Sequence, residues 1–192
     1  MTNLTIKCGK IEISNNSNFC LIAGPCQMES EQHALDMSSK IKEITSKLGV
    51  NFIYKTSFDK ANRTSLDSPR GMGLAESLPV LAEVREDMGC PVLTDVHLPE
   101  HCGPVGEAVD VIQIPAFLSR QTDLIIAAAE TGRALNIKKG QFLAPWDMAN
   151  VVKKAQTEGK YKIARSTKSS DAERIAMVQW LERRTSIANE LS

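Results

Sequence analysis

Apolar residues in this chain come in short blocks of strand length, each followed by a longer stretch in which they recur at helical spacing. The blocks are FCLIAG (19–24), NFIYK (51–55), PVLTD (91–95), DVIQIP (110–115) and ALNIK (134–138). Between and after them the pattern predicts helices near 30–48, 73–88, 99–107, 120–131 and 146–158, several closed by a glycine: Gly49, Gly89, Gly132 and Gly159. Strand and helix alternating at this interval predict an α/β fold of βα units around a parallel sheet. Residues 4–13 resemble a small hairpin that caps one end of a barrel. No low-complexity tract or second domain interrupts the series.

The second to fifth strands each end at or near a polar residue: Lys55, Asp95, Gln113 and Lys138. Parallel α/β sheets bind ligands at the carboxyl ends of their strands, so the four would face one site. Taken singly, each is better explained by a strand meeting solvent. Jointly they are not, because Lys138 follows LNI and Gln113 lies inside VIQIP, where an apolar residue would pack better.

Composition changes this picture only by exclusion. The 192 residues are 42% hydrophobic and 24% charged, enough for a packed core. Lys plus Arg and Asp plus Glu number 23 each, which removes a global electrostatic case for nucleic acid or an anionic membrane surface as partner. Any bound anion must be held locally. The amino terminus lacks the pattern of a signal peptide and no apolar run reaches the ~18 residues of a membrane span, so a cytoplasmic protein is expected. The five cysteines, without CxxC spacing, suit a reducing compartment.

The local charge lies in YKTSFDKANRTSLDSPRG (54–71), which gathers Lys55, Lys60, Arg63 and Arg70 among small polar residues. An arginine fork matches phosphate oxygens, a hydroxyl adds a neutral donor, and a lysine supplies a compact charge that can release a proton. KANRTS contains all three. It suits a sugar phosphate, with Arg63 and Thr64 or Ser65 on the phosphate, Asn62 on sugar hydroxyls and Lys60 near a reacting carbonyl; a solvated loop paired through Asp59 and Asp67 is the plainer reading. Arg120, in the first turn of the helix after Pro115, stands where free amides favour anions, or pairs with Asp123 or Glu130. Ser30 is available to cap the first long helix. Cys26 would point into the same mouth, as a thiolate ligand to a metal or as a small apolar group. His97 and His101 read as loop histidines, with His97 also suited to the surroundings of such a metal.

The segments AGPCQMES, YKTSFDKANRTS, RGMGL, LTDVH, DVIQIPAFLSRQTDL and NIKKGQFLAPWDM together resemble the 3-deoxy-D-manno-octulosonate 8-phosphate synthase family, in order and with its spacing over about residues 4–159. The resemblance implies a TIM (β/α)8-type barrel in a homo-oligomer that condenses phosphoenolpyruvate with arabinose 5-phosphate and releases inorganic phosphate. It implies that Lys55, Lys60, Gln113, the backbone at Ala116 and Lys138 hold the anionic groups of phosphoenolpyruvate. Asn62, Arg63, Thr64 and Asp95 would contact arabinose 5-phosphate, and Arg120 would reach the sugar phosphate of a neighbouring subunit. Lys60 is the implied proton donor to the aldehyde oxygen, and Cys26 matches the metal-ligating cysteine of the class that uses a divalent metal. The sister heptulosonate 7-phosphate synthases carry a KPRTS-like loop, whereas Ala61 and Asn62 here favour the octulosonate family.

The matching portion supplies about five βα units plus the hairpin, so residues 1–159 are expected to form part of a barrel. The family's later strands provide an arginine for phosphoenolpyruvate and a histidine, a glutamate and an aspartate for the metal, and none has a counterpart here. Residues 160–192 read as a basic linker and an amphipathic helix from Asp171 to about Glu190. A chain of this kind is expected to be inactive or nearly so on its own, or to act as a remnant that binds sugar phosphate or an intact synthase.

Overall fold

The computed structural model describes residues 5–14 and 16–156. The expected tail helix and the end of the helix expected to reach 158 therefore lie outside the described residues. Strands β1 (Thr5–Cys8) and β2 (Ile11–Ser14) form an antiparallel hairpin. Then follow β3 (Cys20–Ala23), α1 (Glu31–Lys47), β4 (Asn51–Lys55), α2 (Leu74–Met88), β5 (Val92–Asp95), α3 (Pro99–Ala108), β6 (Val111–Ile114), α4 (Thr122–Glu130), β7 (Ala134–Ile137) and α5 (Met148–Gln156). The five later strands pair in parallel in chain order, β3-β4-β5-β6-β7, as a curled half-barrel of the TIM type. Among the described residues no helix is long and apolar enough to cross a membrane.

Local chemistry sets the element boundaries. The Ser30 hydroxyl accepts from the His33 amide at 3.1 Å and caps α1, while Glu31 and Lys47 complement the dipole at its two ends. Two helix starts differ from expectation: α4 begins at Thr122 and α5 at Met148, because Ala116–Leu118 and Pro145–Asp147 first form 3-10 turns. Arg120 thus precedes α4 rather than occupying its first turn. Gly24, just after β3, packs tightly against the end of β4. A Cβ there would lie 2.0 Å from the Lys55 carbonyl oxygen, so only glycine lets the two strand ends approach.

Alternation along each strand divides the core in two. Phe52, Tyr54, Ile112, Ile114, Leu135 and Ile137 face the helices and pack with Val80, Leu81 and Val84 of α2 and Leu124, Ile125 and Ala128 of α4. Ile53, Leu93, Val111 and Ala134 face the other way, against Ile6 and Cys8 of the hairpin, with Cys20 and Ile22 beside them. The hairpin therefore closes the amino-terminal end of the half-barrel, as expected. Fully burying side chains of this size contributes roughly 1.5–3 kcal/mol each, which is why a two-stranded ribbon too small to be stable alone is held there. Burial pushes the Cys8 thiol up to about 12 and Cys20 to about 11, so both behave as small apolar groups.

Candidate active site

The inner face changes character within two residues. Period-two alternation carries it from Ile53 to Lys55, from Leu93 to Asp95, from Val111 to Gln113, and from Ala134 through Asn136 to Lys138. The strand register sets Asp95 beside Gln113 and Gln113 beside Asn136. A polar layer thus lies directly above the apolar plug.

Ser57 is the centre of that layer. It is fully buried, donates to Asp95 Oδ1 at 2.5 Å, and accepts from Lys55 Nζ at 2.8 Å and Lys60 Nζ at 3.0 Å. With one proton and two lone pairs engaged, the hydroxyl is saturated and fixes both ammonium groups. Lys55 Nζ also lies 3.8 Å from Asp95 Oδ1, and His97 Nε2 lies 3.1 Å from Asp95 Oδ2. Burial alone would raise the Asp95 pKa; the hydrogen bond to His97, the Lys55 charge and the Ser57 hydroxyl outweigh it and bring it down to about 2. Asp95 is therefore an anion at neutral pH. Burial lowers the Lys55 pKa; Asp95 opposes that shift, while the charges of Lys60 and Lys138 add to it. The mouth concentrates positive charge that one internal carboxylate does not neutralise.

Beyond this centre, Gln113 and Asn136 are both buried, and Asn136 Nδ2 donates to Gln113 Oε1 at 3.1 Å. Lys138 is exposed just past β7, its amide donating to the Ile114 carbonyl at 3.1 Å. The loop 60–71 forms one wall. The Lys60 amide donates to the Arg70 carbonyl at 2.7 Å, and Arg70 forks onto Asp59 at 2.7 and 2.5 Å, as the plainer reading of this loop expected. Gly71 closes the loop at φ 112°, where a Cβ would meet the Phe58 carbonyl oxygen at 2.6 Å. Arg63 is exposed; its Nε donates to the Pro69 carbonyl at 3.0 Å and its outer nitrogen to Gln27 Oε1. Asn62 and Thr64 flank it, also exposed.

The structure thus joins Lys55, Lys60 and Asp95 through the Ser57 hydroxyl, sets Gln113 on the same face, and leaves Lys138 and Cys26 close enough to act on the Lys55 charge. Asn62, Arg63 and Thr64 sit on the neighbouring loop. Ala116 opens the turn after β6, and Arg120 is exposed beyond it, its carbonyl accepting from Lys154 at 3.0 Å. His97 is more than a loop histidine: it touches Asp95 and forms an edge-on ring cluster with Phe58 and His101. Ser57 and Asn136 were not legible as site residues. Each nevertheless lies two positions from a strand-end lysine, Lys55 or Lys138, and so shares its side of the extended chain.

A metal centre does not fit these residues. Cys26 is exposed, and among the described residues no three His, Cys, Asp or Glu side chains form a group that could hold a metal ion.

The curled parallel sheet, with its cationic mouth at the carboxyl ends of the strands, defines an incomplete α/β barrel of the TIM type. More particularly, the chain belongs to the DAHP synthetase I family, whose family model matches residues 2–183. It is similar to proteins named 2-dehydro-3-deoxyphosphooctonate aldolase. The Bartonella quintana protein is 58% identical over 157 residues, 82% of this chain and 56% of that one. The Bradyrhizobium diazoefficiens protein is 60% identical over 146 residues, 76% of this chain and 52% of the relative. The Bartonella henselae protein is 54% identical over 161 residues, 84% and 58% respectively. The chain spans about half the length of the curated relatives it matches.

Proposed function

We propose that this chain carries the substrate-gripping half of a 3-deoxy-D-manno-octulosonate 8-phosphate synthase site, which joins phosphoenolpyruvate to arabinose 5-phosphate and releases phosphate. The observation that carries the reading is the Ser57 hub, with two ammonium groups and one low-pKa carboxylate locked together at the mouth of the sheet. In this reading Lys55, Lys60, Lys138, Gln113 and the backbone at Ala116 neutralise the carboxylate and phosphate of phosphoenolpyruvate. Asn62, Arg63, Thr64 and Asp95 orient arabinose 5-phosphate, and Arg120 reaches the sugar phosphate of a second copy in a homo-oligomer. Residues 1–159 are the barrel portion and 160–192 a separate tail, in a protein working on soluble metabolites in the cytoplasm.

The chemistry follows from charge placement. The enol carbon of phosphoenolpyruvate attacks the aldehyde carbon, and the aldehyde oxygen takes the Lys60 proton. Water then adds at the cationic carbon left behind and returns a proton to the neutral Lys60, and the adduct collapses to the ketone with loss of inorganic phosphate. Prepositioned cations stabilise the charge that develops, so orientation and electrostatics supply most of the acceleration. No step is assigned to Cys26 or to a metal, because the described residues gather no ligand set around that thiol. The names of the relatives favour the octulosonate product over the sister heptulosonate one. Calorimetry with each substrate, followed by a phosphate-release assay with both, tests the reading. Phosphoenolpyruvate binding that is lost in Lys60→Ala supports it; a chain that binds neither substrate refutes it.

A further inference from the structure

Asn136 is buried mid-strand on β7, an arrangement that packing alone would give to an apolar residue. Its Nδ2 donates to Gln113 Oε1 at 3.1 Å, and its own Oδ1 is buried without a hydrogen-bond partner among the described residues. A carboxamide has one acceptor end and one donor end, so engaging one end decides what the other presents. With Oε1 held by Asn136, Gln113 offers its Nε2 hydrogens to whatever lies beside it. The reverse arrangement would turn a carbonyl oxygen toward the site, where it would repel an anion and be drawn instead to Lys55, Lys60 or Lys138. The surrounding cations therefore do not select the orientation that an anionic ligand needs; in this structure the bond from Asn136 Nδ2 to Gln113 Oε1 holds it.

We propose that Asn136 is a positioning residue that sets the Gln113 carboxamide with its donor end toward the ligand, making the inner wall selective for the anionic three-carbon substrate. This rests on the function proposed above, in which Gln113 meets phosphoenolpyruvate; Asn136 itself touches Gln113 and no substrate. The role is specific to one ligand. Arabinose 5-phosphate, assigned to the loop at 62–64 and to Asp95, should not notice which way the amide faces.

The test compares wild type, Asn136→Leu, Asn136→Asp, Gln113→Ala and the double variant Gln113→Ala/Asn136→Asp by calorimetry with phosphoenolpyruvate and, separately, arabinose 5-phosphate. Asn136→Leu frees the amide at similar volume. Asn136→Asp replaces the donor by an acceptor and draws Nε2 away from the ligand. Losing a hydrogen bond to a charged group should weaken phosphoenolpyruvate binding about tenfold or more in Asn136→Asp and less in Asn136→Leu, with arabinose 5-phosphate within about twofold of wild type. On the Gln113→Ala background, Asn136→Asp should add little, because the two act as one unit. Unchanged phosphoenolpyruvate affinity, equal loss of both ligands, or full additivity on the Gln113→Ala background would each overturn the proposal. The amide orientation is read independently, by a scalar coupling across the hydrogen bond from Asn136 Nδ2 to the Gln113 carboxamide carbon in labelled protein without ligand. Its presence supports the lock, and its absence removes it. A wild-type chain that shows the coupling but binds no phosphoenolpyruvate sinks the functional reading and leaves the lock standing as a structural feature.

Discussion

The lower and upper halves of the inner sheet face are built from the same strands, two residues apart, and are governed by opposite physics. Below, Ile53, Leu93, Val111 and Ala134 meet Ile6 and Cys8 of the hairpin in an apolar cluster. Above, Lys55, Asp95, Gln113 and Asn136 occupy the next inward positions and hold charge and amides that are costly to bury. The lower half makes the upper one possible. An apolar plug anchors the strands so that four polar tips can be held against one another without collapse. Stability and binding should therefore separate along this axis when single residues are changed.

The largest separation should come from the plug. Leu93→Ala should cost about 2–5 kcal/mol of stability, read as a lower urea midpoint, while ligand affinity of the folded fraction stays within about twofold. Lys55→Met should do the reverse: affinity for phosphoenolpyruvate falls about a hundredfold, and stability moves far less than in Leu93→Ala, because relief of the buried ammonium offsets what Asp95 loses with its cation. Equal effects on both quantities from either variant would break the division. Ser57→Ala should lower stability by about 1–3 kcal/mol and also weaken binding, since Asp95 and both lysines lose a shared partner.

Acid sharpens the comparison. The Asp95 pKa is depressed from 3.8 to about 2, so its stabilising contribution is fully present above pH 3.8, falls as pH drops through that window, and is gone below about 2. It amounts to about 2 kcal/mol. Unfolding curves between pH 5 and 2 should show that loss in wild type and a flatter profile in Asp95→Asn; parallel profiles would contradict the assignment. The smallest effect belongs to the rim: Asp59→Asn breaks an exposed fork with Arg70 and should change stability by under about 1 kcal/mol, measured in urea.

Much of this organisation was legible in the chain. Strand blocks bounded by helical periods located all five parallel strands, and the run of polar strand ends pointed to the mouth. Glycines and Ser30 marked several helix boundaries correctly. What escaped was anything set by pairing rather than by a single residue's type. Ser57 looks like loop filler until the turn after β4 brings Lys55 and Lys60 onto it and Asp95 meets it from 38 residues away. Asn136 looks like a blemish in a strand until the register puts Gln113 beside it. His97 lies only two residues from Asp95, yet its contact depends on how the chain turns after β5. The start of α4 was set two residues early because no periodicity signal distinguishes a 3-10 turn from the first turn of a helix.

A crystal structure grown with phosphoenolpyruvate tests the central claim most directly. The ligand should lie at the carboxyl ends of β4 to β7, with its phosphate or carboxylate oxygens in hydrogen-bond reach of the Lys55 or Lys60 ammonium and of Gln113 Nε2. A ligand bound on another face, with Ser57 still tying both lysines to Asp95 and no anion beside them, would contradict it.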